Sequence, residues 1–267
     1  MQGTNKFDLS LIIRKIARQA RDFTRKLKPA ARGSDRSFLD LEPTVSKVIS
    51  PKARIFAVFQ SQYDGKEYFR NTLQHLDYID ALLRKHAQKK LTDCQSIADY
   101  ACHYGRHLRC LRAALPRATL YACDIDKEAV NFCVQEFGCT PCLVDWNSAE
   151  NENCGKNDLV MSISLVTHTR LDFFSRVLNI WERMLQPGGL LLFTYLSERY
   201  IDEWLAGKME HYGKANLGPP IYAALKQEKA AEFRQFGHTC CGFRTHYSDA
   251  DEYGIGFMST EIVIQEV

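Results

Sequence analysis

The hydrophobic and polar positions along the chain change period several times, and those changes mark out its elements. Residues 9–28 place Ile12, Ile16, Phe23 and Leu27 at helical spacing, with arginines and lysines between them and Pro29 just beyond. Residues 29–50 carry Pro, Gly and Ser with no clear period and read as a linker. A second helix is predicted from Glu67 to Gln88, ending in Lys89-Lys90, which suits the negative end of a helix dipole.

From there the pattern alternates. Strands are predicted at Ser96–Tyr100, Thr119–Cys123, Cys142–Val144 and Asp158–Ser164. Helices are predicted at Gly105–Leu115, Lys127–Phe137 and Leu171–Leu185. Pro187-Gly188-Gly189 should stop the last of these helices. The unbroken apolar run Leu190–Tyr195 then reads as a strand buried on both faces. Helices near Glu198–Ala206 and Ile221–Phe236 precede two more strands, about Thr239–Tyr247 and Gly256–Gln265. Strands joined without a crossover helix can neighbour each other only as an antiparallel pair. The expectation is therefore an α/β fold: a Rossmann-like, seven-stranded, mostly parallel sheet with a C-terminal antiparallel hairpin and an N-terminal helical extension. The expected division is 1–50, a basic helix and linker; 51–93, a helical cap; and 94–267, the main domain.

Composition narrows this only slightly. The 267 residues are 45% hydrophobic and 25% charged, as in an ordinary globular protein, and no apolar run approaches the roughly 20 residues that span a bilayer. The net charge of +3 conceals a basic front: residues 1–36 carry ten Lys/Arg against Asp8, Asp22 and Asp35. A basic amphipathic helix there can pack on the protein or lie on an anionic membrane surface, which would place the chain in the cytoplasm, peripheral to the inner face. Ten cysteines and no secretory leader suggest reduced thiols, and Cys139-Thr-Pro-Cys142 lacks the second pair that a zinc site of this spacing wants. No metal is expected.

The chemistry concentrates where strands end. Asp99 ends the first predicted strand, Asp124 the second, and Asp145 follows the third. Gly105 sits where the chain turns sharply into a helix, so that its amide can face a ligand. A carboxylate nineteen residues later can accept both ribose hydroxyls of an adenosine cofactor. Asp145 can accept from the adenine amine, with Ile125 or Trp146 packing on the ring. A single strand-end Asp is commonly a helix cap, but three in succession point to a ligand.

These motifs resemble the class I S-adenosylmethionine (SAM)-dependent methyltransferases. Asp99-Tyr-Ala-Cys-His-Tyr-Gly105 is similar to their acid-x-Gly-x-Gly-x-Gly turn, with Ala101 and His103 in two glycine positions. Ala-Cys-Asp124-Ile-Asp resembles their second acidic motif, and Leu143-Val-Asp145-Trp their adenine position. Asn157 to His168 resembles the fourth-strand motif, and Leu185-Gln-Pro-Gly-Gly-Leu-Leu-Leu-Phe193 the turn before the fifth strand. The resemblance implies SAM as cofactor, held by Asp99, Ala101, His103, Gly105, Arg106, Asp124, Ile125, Asp145, Trp146, Ser162 and Ser164. It places His168 near the methyl acceptor, either as a general base or as a structural hydrogen-bonding residue at the strand–helix junction.

Tyr63, like Arg106, is a candidate for the methionine carboxylate. Cys-His-Tyr-Gly-Arg, Ser-Leu-Val-Thr-His and Glu-Tyr-Gly-Ile-Gly look most like a bacterial subgroup associated with glycan biosynthesis, so a glycan or small-molecule hydroxyl is the expected acceptor. Tyr253-Gly254-Ile255-Gly256 and residues 197–236 are the expected shapers of its pocket. Nucleic acid is not expected as a partner, because the basic cluster is remote from the site and no Asn/Asp-Pro-Pro-Tyr motif follows the fourth strand. Two rivals remain: an NAD(P)-dependent oxidoreductase, whose Gly-x-Gly-x-x-Gly is absent, and a degenerate methyltransferase fold serving as a scaffold, which His103 would favour.

Overall fold

A computed structural model of the protein describes residues 37–53, 56, 66–145, 154–207, 219–242 and 254–267. The basic helix predicted at 9–28, Tyr63, Trp146 and Tyr253 lie outside the described residues. The chain forms two compact units, residues 29–162 with 179–192, and residues 163–178 with 193–267.

The first unit is built on a sheet in strand order β3-β2-β1-β4-β5. Its strands are β1 (Ser96–Tyr100), β2 (Thr119–Asp124), β3 (Thr140–Leu143), β4 (Asn157–Ser162) and β5 (Leu185–Phe193). β1 runs parallel to both β2 and β4, and β2 parallel to β3. The strand order reverses at β1, which puts the mouth for a ligand at its carboxyl end. β1 and β4 bury nearly every residue, as befits central parallel strands covered on both faces.

Helices α1 (Lys66–Ala87), α2 (Arg106–Ala114) and α3 (Lys127–Phe137) follow the predicted bounds closely. α3 is fixed at both ends: the Asp126 side chain accepts from the Glu128 and Ala129 amides, and Gly138 closes it at φ 61°. α1 packs on α2 through stacked His75 and His107, whose Nδ1 and Nε2 lie 3.2 Å apart. A short 3-10 turn, Phe38–Thr44, is tied to α1, where Ser37 Oγ and the Phe38 amide donate to Asp77.

β5 departs from expectation. It begins at Leu185 and runs through Pro187-Gly188-Gly189, and no residue of 190–193 is fully buried. The reason is position. β5 is the edge strand of this sheet, where Pro is tolerated and a second covered face is not needed. Gly189 admits the chain close to β4, since a Cβ there would lie 2.6 Å from Asn157 O.

The second unit opens with a 3-10 turn, Val166–His168. Helix α4 (Leu171–Met184) begins in this unit and ends in the other. α5 (Glu198–Leu205), α6 (Pro219–Phe236), β6 (His238–Gly242), β7 (Gly254–Met258) and α7 (Thr260–Glu266) complete it. Its core joins Leu196, Ile201, Trp204, Phe233, Ile255 and Phe257, with Trp204 stacked on Phe257 at 5.3 Å.

Two expectations fail here. The seven strands do not form one sheet: β6 and β7 pair antiparallel as a separate two-stranded sheet, and Leu196 meets Phe257 through a single bridge rather than a ladder. The last predicted strand is also cut short at Met258. Ser259 caps a new helix by accepting from the Ile262 amide, and Glu198 accepts from both the Thr260 amide and its hydroxyl. These capping bonds override the strand preference of Ile262-Val263-Ile264.

Gly256 brings β7 against the segment that follows His168. A Cβ on it would lie 2.1 Å from Thr169 O. Gly256→Ala is therefore expected to push β7 off this turn and to cost about 2–3 kcal/mol by overpacking. Chemical denaturation measures this; unchanged stability would show that the close approach is not required.

Candidate cofactor site

The turn between β1 and α2 is the centre of the candidate site. Ala101, His103 and Gly105 all have left-handed backbone, with φ of 65°, 48° and 70°. These are the three positions that carry glycine in the pattern the sequence resembles. The chain thus keeps the glycine conformation at two places where it has lost the glycine, at about 1–2 kcal/mol each. Only Gly105 is enforced by space. A Cβ there would lie 2.4 Å from Phe137 Cε2 and 2.9 Å from Cys133 Sγ, both on α3.

What holds the strained turn in place is largely Asp124. Its Oδ2 accepts from the His103 amide at 2.7 Å, and its Oδ1 from the Asp126 amide at 3.0 Å. The carboxylate ties the turn after β1 to the turn after β2, while Asp126 beside it takes the capping role. The Ala101 and Cys102 amides both donate to Cys123 O, and the Cys102 and Cys133 thiols reach His103 O. One expectation is corrected: the Gly105 amide does not face outward but donates to Cys102 O at 3.0 Å, closing the turn on itself. The His103 ring packs edge-on against Tyr104 at 4.8 Å.

Asp99 sits just behind this turn, 2% exposed, and its Oδ2 has no hydrogen-bond partner among the described residues. Burial, with Asp124 adding to it, pushes its carboxyl up to about 8. Burial also raises Asp124, although its two amide donors pull the other way. A buried acid whose folded pKa lies above its unfolded one stabilises the fold most below about pH 4, and that contribution is lost as pH rises toward 8. Burial pulls His75 down to about 4, so its contribution grows over the acid part of the same range. The variant comparison separates the two: Asp99→Asn is expected to gain stability on the wild type between pH 6 and pH 8.5. Urea unfolding at the two pH values tests it, and an equal difference at both would refute the assignment.

The remaining candidate residues scatter. Asp145 follows β3 and is exposed, and Ile125, beside Asp124, is 51% exposed, an apolar surface at the strand ends. Arg106 turns to α1 instead, where its Nε donates to Thr72 Oγ1 at 3.0 Å and its guanidinium lies over Tyr68. Ser162 is fully buried and donates to Tyr100 O. Ser164 and His168 belong to the second unit. Ser164 has φ 69° and its amide donates to Thr194 Oγ1, while His168 ends the 3-10 turn half-buried.

Two features escaped the sequence. The first is Arg109, a buried guanidinium that donates to the Tyr104 and Gly105 carbonyls of the turn. An arginine inside an amphipathic helix carries no signal distinguishing it from a surface one. The second is a disulfide between Cys142 and Cys154, which corrects the expectation that these thiols are reduced. With Cys123 they form a buried group of sulfurs within 4.8 Å of one another. Cys139, spaced from Cys142 as metal ligands often are, is not part of that group, and two of the three sulfurs are joined in the bridge.

Residues 98–193 match a family model described as a methyltransferase domain. A search of curated protein sequences returns no match. Among solved structures the chain is similar to DesVI of Streptomyces venezuelae, at 16% identity over 57% of this chain and 61% of that one, TM-score 0.43. It is similar to the sugar N-methyltransferase KedS8 from Streptoalloteichus, at 15% identity over 63% and 61%, TM-score 0.43. It is also similar to the plantazolicin methyltransferase BpumL in complex with SAH, at 14% identity over 90% and 88%, TM-score 0.44. The chain thus spans under two thirds of the length of the first two. The segment that the methyltransferase-domain model matches, residues 98–193, holds most of β1 and all of β2 to β5, with the left-handed turn and the strand-end acids.

Proposed function

We propose that the chain transfers a methyl group from SAM to an oxygen or nitrogen of a small-molecule or glycan acceptor. The observation that carries this reading is the turn itself: Ala101, His103 and Gly105 keep the left-handed backbone, and Asp124 bonds to it, although two glycines are gone. The residues present fit the cofactor. Asp99 offers a buried carboxyl oxygen that lacks a partner among the described residues, a place where a cationic group would draw out its charged form. Asp124 keeps lone pairs for ribose hydroxyls beyond its two amide bonds, and Ile125 offers an apolar surface beside it. Asp145 and Trp146 complete the adenine side in this reading, and Ser162 and Ser164 the fourth-strand side.

When bound, SAM supplies an electrophilic methyl on a sulfonium, which an acceptor lone pair attacks in line. Such a transfer needs positioning more than acid–base help. Asp124 and the turn fix the cofactor, and Asp99, whose carboxyl burial pushes up to about 8, gives up its proton to balance the cofactor's positive charge. His168 accepts the acceptor's proton where that acceptor is a hydroxyl. Gly256, by letting β7 approach Thr169, sets the position of the segment that carries it.

The glycan preference rests on the sequence resemblance of the three short phrases. A cytoplasmic location, with residues 9–28 at the inner membrane face, belongs to the same reading; among the described residues no helix is long and apolar enough to cross a membrane. Incubating the protein with methyl-labelled SAM and a panel of nucleotide-linked sugars, lipid-linked glycans and small phenols or amines tests this. Label in a sugar hydroxyl or amine supports the acceptor class, and label confined to another class refutes it.

A further inference from the structure

The segment Val45–Ala53 is fastened to the first unit from several sides. Val45 and Ala53 are buried, and Ala53 packs with Tyr104 and Ala129. Ser46 Oγ donates to Glu136 Oε1 at 2.6 Å, and Lys52 pairs with Glu128, both acids on α3. Its main anchor is Arg109 of α2, 1% exposed, whose Nη1 donates to Ser46 O at 3.1 Å and to Val48 O at 2.9 Å. The same guanidinium reaches the turn, donating from Nε to Gly105 O at 3.2 Å and from Nη2 to Tyr104 O at 3.3 Å. It lies over the Phe137 ring at 4.9 Å, and Phe137 is the side chain that fills the space beside Gly105. No carboxylate pairs with it among the described residues. Its charge is balanced by four carbonyl dipoles, two from the segment and two from the turn.

That arrangement does more than fill a core. A buried guanidinium left without acceptors is costly, so neither the turn nor the segment can shift without stranding donors that the other does not satisfy. The two are coupled through one side chain.

We propose that Arg109 is a positioning residue for the cofactor: it locks residues 45–53 onto the Tyr104-Gly105 turn, so that cofactor affinity depends on the segment being docked. This rests on the methyltransferase reading of the turn and adds a part of the chain outside residues 98–193 to its site. Lysine at position 109 keeps the charge, but a single ammonium cannot span four carbonyls set around a planar fork.

Hydrogen–deuterium exchange of the full chain with and without S-adenosylhomocysteine (SAH), together with calorimetric titration of Arg109→Lys, tests this. In the wild type, SAH is expected to slow exchange at residues 45–53 as well as at 101–105. In Arg109→Lys the affinity is expected to fall by about tenfold or more, with protection at 45–53 lost. A residue that only stabilises the fold would lower the melting temperature without abolishing ligand-dependent protection at a distant segment. Protection of 101–105 alone in the wild type overturns the proposal, and so does wild-type affinity in Arg109→Lys. If that variant does not fold, the wild-type exchange decides by itself. Failure of the wild type to bind SAH at all would instead strike the proposed function.

Discussion

Gly105→Ala is expected to destabilise the protein by about 3 kcal/mol, a fall in melting temperature of roughly 6–12 °C for a chain of this size. Two costs add. Alanine at φ 70° loses about 1–2 kcal/mol to backbone strain, and its Cβ would lie 2.4 Å from the Phe137 ring and 2.9 Å from Cys133 Sγ. Phe137 cannot retreat easily, because the Arg109 guanidinium lies over its ring at 4.9 Å. The two neighbouring positions should respond in the opposite sense. Ala101→Gly and His103→Gly remove left-handed strain and are each expected to stabilise by about 0.5–1 kcal/mol, less than the strain itself because glycine also loosens the unfolded chain. Thermal unfolding of the three variants checks the contrast, and a destabilised His103→Gly would mean that the His103 ring contributes more than its backbone strain costs.

Asp124→Ala should remove cofactor binding, with affinity for SAH weakened by about a hundredfold or more, the scale of losing two charge-assisted hydrogen bonds at about 1.5–3 kcal/mol each. The fold should suffer as well. The variant strands the His103 and Asp126 amides, at about 1–3 kcal/mol for each that stays dry. Asp124→Asn separates the effects, since one amide keeps an oxygen acceptor while the other faces an NH2 group. Stability should recover in part and affinity should not. Calorimetry beside thermal unfolding makes the comparison. Unchanged SAH affinity in Asp124→Ala would remove Asp124 from the site.

Much of this was legible in the chain. Strand and helix periods are local signals, so β1, β2 and α3 fall within a residue of their predicted bounds. The strand-end acids were legible because their spacing belongs to the topology. What failed depended on partners far along the chain. Ile262-Val263-Ile264 look like strand until Ser259 and Glu198 cap the segment as helix. Leu190–Phe193 looks like a central strand until its place at the sheet edge is known. Arg106 and Arg109 differ by one turn of helix and lie in the same pattern. Only packing shows that the first engages α1 and the second carries the turn. The backbone at His103 was likewise invisible, because a histidine in a glycine position reads equally as a retired site and as a strained one.

Calorimetric titration of the wild type with SAH, alongside His103→Gly, tests the central claim most directly. If the retained left-handed turn is a working cofactor site, the wild type binds one SAH with about micromolar affinity, and the variant binds at least as well. Absence of binding by the wild type would contradict the account. Restoration in His103→Gly would then mark a site that the histidine has closed, and no binding by either form would leave the turn without a cofactor role.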